Sequence, residues 1–286
     1  MADSNIQFVP TACALGATLT WGVSDFVGGY ASRRTNSFFL TTITHVSGTV
    51  LMTLLAVALH APIPDKHGLM WAAIAGLDGG VTLGIFYRAL ASGTMGLTAP
   101  LAAVLGAAIP TVFGVFTEGV PGPIPIAGFF LAGVGIWLIS RVEDSVGRPK
   151  GLGLAIVAGL GFATYFLCIH QAGNGSVLWL AATSRVVSFL TSTTIVLSGR
   201  QWSPIHWTGV VAGLAAGMLD SSGTAMFIRA AQQGRLDTTV VISSLYPAVT
   251  VLLARMFLRE KFSRWRVIGL VAALLAVPMV AWVSGH

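Results

Sequence analysis

Long apolar runs separated by short polar turns make up nearly the whole chain. The runs fall at 8–30, 38–60, 69–91, 96–117, 123–141, 151–172, 176–198, 207–231, 237–257 and 265–284. About 20 apolar residues form a helix long enough to cross the hydrocarbon core of a bilayer. Within each run the apolar residues are continuous and rich in Ala, Leu and Gly, whereas barrel strands are short and alternate in polarity. The pattern predicts an all-α integral membrane protein with ten transmembrane helices. Its narrowest division lies between the third and fourth runs, where only Ser92-Gly93-Thr94-Met95 intervenes.

Composition agrees with that pattern. Hydrophobic residues make up 55% and charged residues 9% of the chain, against roughly a quarter charged in a soluble domain. The mean hydropathy is +0.81. The runs leave no room for a soluble domain. Met1–Gln7 contain no Lys or Arg, and the first run continues to Arg33-Arg34, so it reads as a membrane span and not as a cleaved signal peptide. Cys13 and Cys168 both fall inside apolar runs and are assigned no role.

The net charge of +6 changes meaning once it is located. Numbering the spans alternately puts Arg33, Arg34, Arg88, Arg141, Arg148, Lys150, Arg200, Arg255, Arg259, Lys261, Arg264 and Arg266 on one side. Only Lys66, Arg229 and Arg235 fall on the other, and Arg185 lies within a span. The basic side faces the cytoplasm by the positive-inside rule, which puts both termini outside. This distribution speaks for membrane lipids as surroundings and against a nucleic-acid partner.

The halves align when the sequence is shifted by 141 residues. Gly76 then falls on Gly217, Arg88-Ala89 on Arg229-Ala230, Gly93 on Gly234 and Gly128 on Gly269. The expected organisation is a first repeat at 1–141, a polar cytoplasmic linker at 142–150 and a second repeat at 151–286. Five spans per copy is an odd number, so the second copy enters the membrane upside down. Inverted repeats are common in secondary transporters, with the site near the midplane between the halves. Channels share such symmetry.

The segment "GRLDTTVVISSLYPAVTVLLARMFLREKFSRWRVIGLVAALLA" and the opening "TLTWGVSDFVGGYASRR" resemble the ten-helix EamA-type branch of the drug/metabolite transporter superfamily. The resemblance extends over nearly the whole chain, through loose motifs that support a family and not a substrate. It implies two five-helix EamA-type repeats and export of amino acids or related metabolites, with protons as a candidate exchange partner. One departure is visible: Gly106 takes the register position of Pro247, and Pro110 follows one turn later. Helix breaks at Pro would then lie at different depths in the two halves.

Charges inside spans are costly, about 2.5–3.5 kcal/mol each on insertion scales, and are functional candidates by default. Asp78 in the third span and Asp220 in the eighth are near-equivalents, one residue out of register, and each has small neighbours. Each is a candidate for substrate binding or proton coupling, or else a hydrogen-bonded carboxyl in a packed seam. Arg185 keeps its charge and needs a carboxylate, backbone carbonyls, a wet cavity or a snorkelling route; Asp78 and Asp220 are the candidate partners. His45 occupies the matching position in the second span. Asp25 either faces the site or pairs locally with Arg33 or Arg34. Trp21, near mid-span, suggests a cavity wall, since Trp otherwise prefers interfaces. Tyr165 in the matching stretch and Tyr246, just before Pro247, complete the candidate substrate-binding set. Arg88, Arg229, Glu118, Arg259 and Glu260 read as headgroup anchors at span ends. His60, His67, His170, His206 and His286 read as interfacial or terminal.

No Walker-type loop is present to power transport with ATP. His and Cys are too scattered for a metal site, and no catalytic signature or cofactor is expected. The sequence reads as a secondary transporter of small organic metabolites in the cytoplasmic membrane of a bacterium, working by alternating access. The alternatives are an integral membrane enzyme acting on a lipid-borne substrate and a passive facilitator channel.

Overall fold

A computed structural model describes residues 3–139, 150–204, 206–259, 263–280 and 282. The expected linker, apart from Lys150, lies outside the described residues, as do Glu260, Lys261 and His286. Among the described residues the chain is all helical: α1 (Asp3–Ala31), α2 (Ser37–Ala58), α3 (Lys66–Ser92), α4 (Met95–Glu118), α5 (Pro123–Ile139), α6 (Leu152–Gln171), α7 (Val177–Ser198), α8 (Trp207–Gln233), α9 (Leu236–Ser243), α10 (Tyr246–Leu258) and α11 (Arg264–Val280). Seven segments are long and apolar enough to cross a membrane: α2, α3, α4, α6, α7, α8, and α9 together with α10. The chain is a multi-pass membrane protein. The narrow turn between the third and fourth runs is real, with α3 ending at Ser92 and α4 starting at Met95.

Lipid offers no hydrogen bonds, so helix ends and hydroxyls must find partners inside the protein. The Asn36 side chain caps α2 by accepting from the Phe38 and Phe39 amides at 2.9 and 3.3 Å. Asp65 caps α3 by accepting from the Gly68 amide at 2.8 Å. Many hydroxyls donate back to the carbonyl one turn earlier, as Thr44 does to Leu40 and Thr191 to Val187.

Proline does not act uniformly. Pro100 and Pro110 sit inside α4, which continues through both. The ninth run instead divides into α9 and α10 at Ser244-Leu245, just ahead of Pro247. Proline has no amide to offer the carbonyl four residues back, and here that carbonyl belongs to Ser243, the last residue of α9. The expected difference between the halves therefore takes the form of a break in one and continuity in the other.

Helix lengths recur along the chain. α2 and α7 each have 22 residues, α3 and α8 each have 27, and α5 and α11 each have 17. The turns that follow α2 and α7 match as well, with His60 and Arg200 both left-handed at φ 49° and 48°. Packing follows the same order: α1 lies along α8 and α6 along α3, α2 crosses α8 and α7 crosses α3, α2 pairs with α7, and α5 pairs with α11.

The turns gather at two ends. At one end the Asn36 amide donates to Ser203 at 3.1 Å, and the Gly93 and Lys150 backbones meet. At the other, Trp179 Nε1 donates to the Ala61 carbonyl at 2.9 Å, and Gln232 bridges to the Gly173 and Gly175 carbonyls at 3.0 and 2.8 Å.

Two register-matched glycines let the inner helices cross closely. A methyl group at Gly217 would overlap the Thr44 carbonyl of α2, and one at Gly76 would overlap the Ser184 carbonyl of α7. Close backbone approach through small residues is a main source of helix association in membranes, where apolar burial drives little. Ser47 and Ser188 lock these crossings, donating to the Leu214 and Gly76 carbonyls at 2.9 and 2.8 Å. We expect Gly217→Ala to destabilise the protein by about 1–3 kcal/mol, the usual cost of overpacking. Gly133→Ala, with open space around it, should be neutral. Thermal denaturation in detergent compares the two, and equal midpoints would remove the close-crossing argument.

Candidate functional site

The inner faces of α1, α7 and α8 converge on one pair of opposite charges. Arg185 of α7 and Asp220 of α8 are 4% and 7% exposed. Arg185 Nη1 lies 2.9 Å from Asp220 Oδ2, at an angle outside hydrogen-bond geometry. Its Nη2 donates to the Thr224 hydroxyl. Asp220 and Thr224 are four apart on α8, hence on one face, so a single guanidinium grips two successive turns. A third helix is tied to the same place: Trp21 Nε1 donates to the Asp220 carbonyl at 3.1 Å, and Ser24 Oγ donates to the Ala216 carbonyl at 2.8 Å. Gly223 makes that approach possible, because a side chain there would collide with the Trp21 indole.

Beside the ion pair lies a cavity of about 50 Å³, lined by Trp21, Asp25, Tyr165, Arg185, Asp220 and Tyr246 together with Gly79, Leu83, Phe162, Phe166 and Thr224. At roughly 10–15 Å³ per water, it has room for about four waters. Its walls are mainly aromatic. Trp21 contacts Phe166 at 5.7 Å between ring centres and meets Tyr246 edge-on at 6.4 Å, and Phe86 supports Phe162 at 5.1 Å. Asp25 and Trp21, four apart on α1, present one face to this space. Asp25 is 6% exposed and lines the cavity in place of the local pairing with Arg33 or Arg34 that the sequence left open. The Tyr246 hydroxyl and Arg185 Nε are buried without a hydrogen-bond partner.

Six of the eight residues singled out from sequence thus meet at one cavity, and His45 and Asp78 stand apart from its lining. Asp78 is half-buried and accepts from the Thr82 hydroxyl at 3.2 Å, within electrostatic reach of Cys168 on α6. Its one-residue offset from Asp220 explains this, since one residue turns a helix by about 100°. Gly79, which stands 141 residues before Asp220, lines the cavity instead. His45 is fully buried; its ring approaches the Gly79 backbone, and neither nitrogen completes a hydrogen bond. Thr224 and Phe166 were not singled out from the sequence. The available signal for Thr224 was its spacing of four from Asp220. Phe166 follows Tyr165, and no sequence feature separates it from an ordinary core aromatic.

A second polar cluster closes one end of the bundle. Arg235 forms a two-point contact with Asp237, Nε to Oδ1 at 3.1 Å and Nη2 to Oδ2 at 2.7 Å. Its Nη1 donates to the Glu118 carbonyl at 2.9 Å. The Glu118 carboxylate accepts from the Leu236 amide at 3.0 Å. Glu118, read from sequence as a headgroup anchor, therefore caps α9 and clamps it to the end of α4.

Residues 149–282 match the model of the EamA-like transporter family. The resemblance read from the sequence holds on that segment, and the chain is a membrane protein of the EamA-like transporter family. A solved crystal structure superposes with a TM-score of 0.77 at 15% sequence identity, with 95% of this chain and 97% of that chain covered; identity that low shows a shared fold alone. No curated protein matches the chain.

Removing one member of a buried ion pair leaves the other uncompensated, at a typical cost of 3–5 kcal/mol, whereas replacing both by apolar groups is often near neutral. We expect Asp220→Leu and Arg185→Leu each to lower the thermal midpoint in detergent. The double variant should recover most of the loss. Additive losses would mean that the two charges do not stabilise one another.

Proposed function

We propose that this protein is a secondary transporter of small organic metabolites, amino acids or related compounds, moved outward by alternating access with protons as the exchange partner. The observation that carries the reading is the cavity itself: Asp25, Arg185 and Asp220 are held together inside apolar spans, around a space lined by aromatic rings. Intramembrane charges that face a cavity mark transport pathways. The cavity's small volume suits an occluded state, from which the halves must part to admit a metabolite.

The proposed architecture is ten spans in two inverted repeats, 1–141 and 151–286, with α9 and α10 forming one broken span. Several observations support it. The helix lengths recur at a constant interval, the helix pairings exchange between halves, and the turns gather alternately at two ends. An odd number of spans in each copy makes the repeat inverted. A broken helix beside the cavity is a frequent feature of such transporters. The asymmetry of Lys and Arg supports a bacterial cytoplasmic membrane with both termini outside.

Reconstituted vesicles test the proposal. With an imposed pH gradient, labelled metabolites should accumulate above their equilibrium level, and collapsing the gradient should abolish the accumulation. Downhill equilibration alone, at every pH, would make the protein a facilitator. No movement above protein-free vesicles would sink the transport reading.

A further inference from the structure

We propose that the cavity selects a monovalent organic cation: an amine or quaternary ammonium group on a compact apolar body, with Asp25 as its counter-charge. The proposal rests on the transport reading above and names the substrate class of that site.

Charge counting comes first. Two carboxylates and one guanidinium line the cavity. Arg185 cannot lose its charge and is engaged by Asp220 at 2.9 Å and by Thr224. Asp25 makes no hydrogen bond or ion pair with any described residue, and it is 6% exposed. The lining therefore lacks one positive charge. A substrate carrying one supplies it. An anion would add to the imbalance, and a zwitterion would have to take Arg185 from Asp220 to seat its carboxylate.

The surroundings of Asp25 fit the same ligand. Trp21 lies one turn before it on α1, and the rings of Phe166 and Tyr246 flank Trp21. Aromatic faces attract cations, most strongly where water is excluded. The Tyr246 hydroxyl is buried without a partner and within electrostatic reach of Asp25, so it offers an oxygen to an ammonium N–H. The repeat also places this chemistry in one half of the pair: Gly79 stands where Asp220 stands in the other copy, so the first half adds no compensating charge at its corresponding position.

Three ligands that share one body separate the cases: 2-phenylethylammonium, phenylalanine and 3-phenylpropionate, titrated calorimetrically into the purified full-length protein at neutral pH. The ammonium should bind at least tenfold more tightly than phenylalanine, and phenylpropionate should not bind detectably. Asp25→Asn should weaken the ammonium at least tenfold with the thermal midpoint retained, and Asp25→Glu should keep measurable affinity. If Asp25→Asn does not fold, Tyr246→Leu tests the same cage and should weaken the ammonium at least fivefold. Phenylalanine binding as tightly as the ammonium would overturn the charge assignment, as would a Kd within twofold of wild type in Asp25→Asn. In either case uphill metabolite flux in vesicles would still stand, so the two readings fail separately. Binding of none of the three by the wild type also overturns the cation assignment.

Discussion

A guanidinium that cannot shed its charge, held about ten residues inside an apolar span, constrains the rest of the bundle. Lipid offers Arg185 nothing, so the protein must bring a carboxylate to it, and Asp220 on the next helix meets that need at 2.9 Å. Asp220 is itself held from two sides, because Thr224 shares the guanidinium and the Trp21 indole binds the Asp220 carbonyl. Three helices are thereby drawn to one point. They can reach it because Gly217 and Gly223 carry no side chains where α2 and α1 press against α8. Charge compensation and small-residue packing are two parts of one solution: the ion pair sets where the helices must meet, and the glycines allow them to meet there.

The two halves use similar scaffolds for different chemistry. Arg185 beside Asp220 has its counterpart in His45 beside the Gly79 backbone, so one crossing carries full charges and the other a single imidazole. The ninth run breaks ahead of Pro247, whereas α4 passes through Pro100 and Pro110 without interruption. The polar burden of the cavity thus falls on α1, α7 and α8, and the broken segment contributes Tyr246 to the same wall. Repetition supplies a frame in which one copy of each crossing can specialise while the other keeps the packing.

At the end of the bundle the clamp of Arg235, Asp237 and Glu118 joins α4 to α9. Both segments border the broken span. Motion about the Ser244-Leu245 turn has to be accommodated between this clamp and the cavity. A polar clamp suits such a place, because hydrogen bonds at a wet membrane interface can be exchanged for water at little cost.

Continuous apolar runs determined by themselves that the chain is a bundle of membrane helices, because only helices satisfy the backbone within a single segment in lipid. The same runs located nearly every turn. Intramembrane charge singled out Asp25, Arg185 and Asp220, since each is expensive wherever it points. Direction is what the sequence left open. Asp78 and Asp220 look equivalent in a one-dimensional alignment, yet a single residue of offset turns Asp78 out of the cavity and puts Gly79 in its place. Whether Asp25 pairs locally or faces inward, and which carboxylate answers Arg185, were decided by how α1 and α7 rotate against α8. That rotation is set by glycine contacts and hydroxyl-to-carbonyl bonds between residues far apart in the chain, which no local pattern encodes.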